Sequence, residues 1–85
     1  MAIDILYFAW VREAMGTGAE RVAPPAEVAT MGQLVEWLAA RSDIAAAALA
    51  DRARLRFAVD QQFVEGDALI TGAREIAIFP PVTGG

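Results

Sequence analysis

Over the first residues of the chain, apolar side chains fall on alternate positions: Ile3, Ile5 and Tyr7 share one face, and Asp4, Leu6 and Phe8 the other. That period of two predicts a strand over residues 3–9 whose second face is only partly polar, with Phe8 pointing away from the core. Val11-Arg12-Glu13-Ala14-Met15 then reads as a short helical turn closed by Gly16-Thr17-Gly18, and residues 19–23 as a second strand that Pro24-Pro25 ends. Trp10, at the junction, is expected to pack against the loop.

From Thr30 the apolar period lengthens to that of a helix. Thr30-Met31-Gly32-Gln33 fits a capping box, in which the Thr hydroxyl satisfies a free backbone N–H of the first turn and the Gln reaches back. Met31, Leu34, Val35 and Leu38 form one apolar stripe, with Trp37 at its margin and Glu36 outside. Ser42-Asp43 can cap a second short helical piece through the alanine run to Leu49, a strong helix former with no chemistry of its own. From Leu55 the period returns to two: Leu55, Phe57 and Val59 alternate with Arg56 and Ala58, and Asp60-Gln61 turns into Phe63-Val64. The arginines at 52, 54 and 56 could together bind an anion, but a solvated loop and strand face is the reading expected of them. After Gly66-Asp67 and Gly72, the run Glu75 to Phe79 predicts a last strand with Ile76 and Ile78 inward and Phe79 outward.

This order is strand, strand, helix and further strands, with no repeat and no linker. It predicts an α+β domain in which a mixed sheet has one main helix packed across it, the arrangement of a β-grasp fold. Residues 1–79 are expected to form the domain and residues 80–85 an extended, flexible tail. If the first and last strands lie adjacent and parallel, Phe8 comes near Phe79 on the uncovered face, and with Phe63 they make an exposed aromatic patch at the base of the tail.

The tail itself is Phe79-Pro80-Pro81-Val82-Thr83-Gly84-Gly85. Pro80 and Pro81 fix φ and favour extended geometry, so the chain cannot turn back as a helix. Gly84 and Gly85 lack Cβ and make the thinnest peptide available, able to enter a narrow channel. A bare diglycine would describe many chain ends; joined to Phe-Pro-Pro-Val-Thr after a strand, it reads as an element that delivers its own carboxylate.

Composition narrows the chemistry. The 85 residues are 56% hydrophobic, enough for one small domain to fold without staples. The sequence contains no Cys, His, Lys or Asn, which removes thiol nucleophiles, disulfides, the imidazole base, the commonest metal ligands, Schiff-base chemistry and N-glycosylation. Eleven carboxylate side chains form no spaced acid/base pair, and Gly16-Thr17-Gly18-Ala19-Glu20-Arg21 has Arg where a dinucleotide fingerprint needs its third glycine. No metal site and no permanently bound cofactor are expected. A formal charge of −4 and a pI near 4.5 disfavour a nucleic-acid partner. Met1-Ala2-Ile3-Asp4 has no basic leader and no apolar run can span a bilayer, so no membrane partner and a cytoplasmic location are expected. The terminal carboxylate remains as the group with covalent prospects.

In these residues the chain resembles the small-subunit family of molybdopterin synthase, which are ubiquitin-like sulfur carriers. The resemblance spans the whole chain and is most specific in Tyr7-Phe8-Ala9, Val11-Arg12-Glu13, Ala58-Val59-Asp60-Gln61 and residues 79–85. The family usually carries Asn where Asp60 stands, which implies a turn with different hydrogen bonds here. The resemblance implies that the Gly85 carboxylate is adenylated by an activating enzyme with Mg-ATP and converted to a thiocarboxylate by a persulfide sulfur donor. It further implies that sulfur passes to a cyclic pyranopterin precursor in the large synthase subunit, so that the chain is the donating subunit of a sulfurtransferase and not a catalyst alone. Gly84 would give clearance. Phe8, Arg12, Phe63 and Phe79, with Pro80, Pro81, Val82 and Thr83, would meet the activating enzyme and the large subunit. A thiamine-pathway sulfur carrier, a ubiquitin-like modifier forming an amide with a target lysine, and a plain interaction domain are the competing readings.

Overall fold

A computed structural model describes residues 2–81. Strand β1 (Ile3–Tyr7) runs into helix α1 (Ala9–Met15), strand β2 (Ala19–Val22) and the main helix α2 (Met31–Ala39). Helix α3 (Asp43–Ala48) and a 3-10 turn (Arg52–Arg54) lead to strands β3 (Arg56–Val59), β4 (Gln62–Val64) and β5 (Glu75–Phe79). The five strands form one mixed sheet in the order β2-β1-β5-β3-β4. β1 and β5 lie side by side and parallel at its centre, with Ile5 opposite Ile76 and Tyr7 opposite Ile78, and the other pairs are antiparallel. This is the β-grasp arrangement expected from the order of periods.

The inward positions are those the alternation selected. Ile3, Ile5, Tyr7, Ile76 and Ile78 are buried with Met31, Leu34, Val35 and Leu38 of α2 in one cluster, and Trp37 packs at its edge while Glu36 is exposed. Thr30 closes α2 with the capping box: its Oγ1 accepts from Gln33 N–H, and Gln33 Oε1 accepts from Thr30 N–H. The other free donors of the first turn are met from the distant loop before β5, since Met31 N–H donates to Ala68 O and Gly32 N–H to Gly66 O. Ser42 caps α3 through Ala45 N–H.

The boundaries of β1, α1 and β2 differ from the sequence expectation. The first strand ends at Tyr7 rather than Ala9, because Phe8 becomes the extended cap of α1 and Ala9 turns the chain at φ 53°, in the left-handed region. α1 therefore begins two residues before Val11, and Gly16 closes it at φ 80°. The second strand ends at Val22. Ile44, within α3, is exposed.

Inside the sheet, Tyr7 donates from its hydroxyl to Glu20 Oε2 at 2.7 Å, and Glu20 Oε1 lies 3.0 Å from Arg41 Nη2, whose guanidinium covers the Trp37 ring. Burial, then the hydrogen bond and negative charge of Glu20, push the Tyr7 phenol far above the usual tyrosine range, with Arg41 opposing.

Candidate functional site: an aromatic face at the root of the tail

The sheet face opposite the helices is built by the outward positions of β1, β3, β4 and β5. Phe8 follows β1 and is 47% exposed; its N–H donates to Ile78 O at 3.2 Å, which pins it beside the end of β5. Phe79 follows Ile78 and takes the opposite face from it, pairing with Arg56 of β3. Phe63, at the middle of the edge strand β4, is 83% exposed and pairs with Ala58. The three aromatics line one shallow hollow with Ala9, Ala58, Gln61, Ala77, Pro80 and Pro81.

Phe63 and Phe79 touch, their ring centroids 5.7 Å apart and the planes tilted by 50°. A second hollow shares these two rings and is completed by Arg56, Phe57, Val64 and Glu65. The face is thus apolar at its centre and carries one positive and one negative side chain at its margin. A contiguous exposed apolar surface of this kind, directly at the start of Pro80-Pro81, suits a protein partner.

Arg12 stands apart from the aromatics. It is exposed on α1, lies across Gly18, and lines a separate depression with Glu13, Gly16 and Thr17. The expected contributions of Val82, Thr83, Gly84 and Gly85 lie outside the described residues. The arginines at 52, 54 and 56 do not converge on an anion site: Arg52 donates to Leu49 O, Arg54 stacks on Trp10, and Arg56 donates to Ala53 O and Leu55 O. Among the described residues, no group of His, Cys, Asp or Glu side chains could hold a metal ion, and no helix is long and apolar enough to cross a membrane.

Sequence reasoning did not single out Ala58 and Ala77 as part of the face. Their signal was parity: each is the small residue between two inward apolar neighbours, and a small outward residue leaves room for large rings from adjoining strands. Asp60 was noted only as a turn residue, yet its Oδ1 accepts from Arg74 N–H and Glu75 N–H, at 3.0 and 2.9 Å.

Comparison with known proteins adds the following. The model of the ThiS family matches residues 5–85. The molybdopterin synthase sulfur carrier subunit of Escherichia coli (strain K12) is 47% identical over 83 residues, covering 98% of this chain and 99% of that protein. The molybdopterin synthase sulfur carrier subunit of Homo sapiens is 37% identical over 87 residues, covering 98% and 93%. Among solved structures, SAMP1 from Haloferax volcanii superposes with a TM-score of 0.71 at 26% identity, covering the whole of both chains.

Proposed function

The chain belongs to the ThiS family, and from that membership and the geometry of the face we propose that it is the sulfur-carrier subunit of a molybdopterin synthase, with Gly85 as the atom-bearing end. A carboxylate is a poor acyl donor, because its charge repels nucleophiles and its oxygen leaves badly. Attack of the Gly85 carboxylate on the α-phosphorus of Mg-ATP, in an activating enzyme, expels pyrophosphate and leaves an acyl adenylate. The terminal sulfur of a persulfide donor then displaces AMP, and a thiol that cleaves the S–S bond leaves a thiocarboxylate on Gly85. The soft sulfur passes in the large synthase subunit to a cyclic pyranopterin precursor, and the carboxylate is regenerated. The chain contributes no general acid or base to these steps; it contributes the terminus and the surface that presents it.

The observation that most supports this reading is the position of Phe79. It is at once the last residue of the central strand β5, a member of the aromatic face, and the residue from which Pro80-Pro81 leave the sheet. A partner that grips Phe8, Phe63 and Phe79 therefore also sets the start of the path that residues 80–85 follow. Six extended residues reach at most about 20 Å, so the terminus can enter a site well inside that partner. Arg12, away from the rings, extends the contact along α1.

Intact-mass measurement of the protein isolated from cells tests the proposal: a fraction should carry one sulfur in place of one oxygen at the C-terminus. Only free carboxylate, even after incubation with activating enzyme, Mg-ATP and sulfur donor, would refute it. Isopeptide remnants of Gly85 on lysines of other proteins would assign the chain to the modifiers instead.

A further inference from the structure

Of the turn between β3 and β4, Gln61 lines the aromatic hollow, while Asp60 has no part in the function proposed above and yet is tied down by its side chain as well as its backbone. Asp60 and Gln61 both lie in the left-handed region, at φ 47° and 72°, which lets a two-residue turn follow the twist of the sheet. Neither is glycine, so both side chains sit where L-residues are disfavoured. Asp commonly offsets this by bonding its own turn. Here the carboxylate reaches across the sheet instead. Asp60 Oδ1 accepts from Arg74 N–H and Glu75 N–H, while Asp60 N–H donates to Glu75 O at 2.8 Å. Three hydrogen bonds thus clamp the turn to the first residue of β5 and the one before it.

The strand that follows the turn has few other anchors. β4 is three residues long, lies at the sheet edge, pairs among the described strands with β3, and packs against the core through Val64 at its far end. Phe63 sits at its middle and is too exposed for packing to fix its backbone. The place of its ring beside Phe79 is therefore inherited from the hairpin. We propose that Asp60 is a positioning residue for partner docking: its carboxylate clamp sets the angle at which β4 leaves β3 and so holds the Phe63 ring against Phe79. This rests on the reading of the aromatic face as the docking surface for the large synthase subunit.

The test compares the full chain with Asp60→Ala, Asp60→Asn and Thr30→Ala. Asn keeps an oxygen acceptor at the same place, and Thr30→Ala destabilises α2 without touching the face. Two quantities are read: the nuclear Overhauser contact between the Phe63 and Phe79 rings in the free protein, and the Kd for purified large subunit. Asp60→Ala should lose the ring contact and bind about tenfold more weakly, whereas Asp60→Asn and Thr30→Ala should keep both. Asp60→Gly, which removes the carboxylate but suits the left-handed backbone, should behave as Asp60→Ala does and serves if the alanine variant does not fold. A ring contact that persists without the carboxylate, or a Thr30→Ala variant that binds as poorly, would overturn the proposal. So would a lost contact with unchanged affinity. Failure of the wild-type chain to bind the large subunit would instead overturn the function proposed above, and the ring contact, read in the free protein, keeps the two apart.

Discussion

The ring of Phe63 lies 5.7 Å from the ring of Phe79, although β3 runs between the strands that carry them. Strands two apart in a sheet are separated by roughly 10 Å, so the two side chains lean toward each other above β3. They can do so because the outward residue there, opposite Phe63, is Ala58. The same lean explains why Ala58 is only 7% exposed on a face that no helix covers.

Removing either ring should therefore affect association more than folding. Phe63→Ala is expected to change stability by no more than about 0.5 kcal/mol, as for other exposed positions, while weakening the complex with the large subunit by about 2 kcal/mol. Phe79→Asp should weaken it at least as much. Thermal unfolding and titration calorimetry on the same preparations check this; a large stability loss with intact affinity would show that the rings serve the fold.

Deleting Gly85 should abolish sulfur transfer and leave the domain unchanged. Among the described residues the buried cluster runs from Ile3 to Ile78, and the loss of one terminal glycine removes no side chain. Circular dichroism should superpose on the wild type, and the truncated chain should form no adenylate with activating enzyme and Mg-ATP.

Tyr7 should make the fold sensitive to alkali. Its folded pKa is raised above the unfolded value near 10, so its contribution is fully present below about pH 10 and declines as pH rises further, by up to about 1.4 kcal/mol per pH unit. Tyr7 is the one tyrosine in the sequence, so phenolate absorbance reports it alone and should appear together with unfolding. Tyr7→Phe should flatten this slope.

The main helix gives two graded effects on stability. Leu34→Ala removes a fully buried side chain beneath the sheet and should cost about 2–5 kcal/mol. Thr30→Ala removes one half of the capping box and should cost about 1 kcal/mol. Denaturant titrations should rank them in that order.

Much of the site was legible because strand parity depends only on local geometry. Successive side chains on a strand point to opposite faces, so an inward Ile78 requires an outward Phe79 whatever the rest of the chain does. The capping box at Thr30 was legible for the same reason: its partners are three residues apart. The end of β1 was not, because Ala9 adopts a left-handed backbone that its composition does not announce. Nor was the separation of Arg12 from the rings, which depends on where α1 is carried.

The chain by itself determined which side chains face inward, where α2 starts, and that it carries no Cys, His or Lys. Each of these follows from near-neighbour spacing or from residue type. Only the tertiary structure decided that β1 and β5 are neighbours, that Ala58 leaves room for two rings to meet, and that Asp60 reaches Arg74 and Glu75. Those relationships join residues far apart in sequence, and no local preference encodes them. They arise when the helical and strand stripes are buried together in one small core, and the aromatic face is what that packing leaves uncovered.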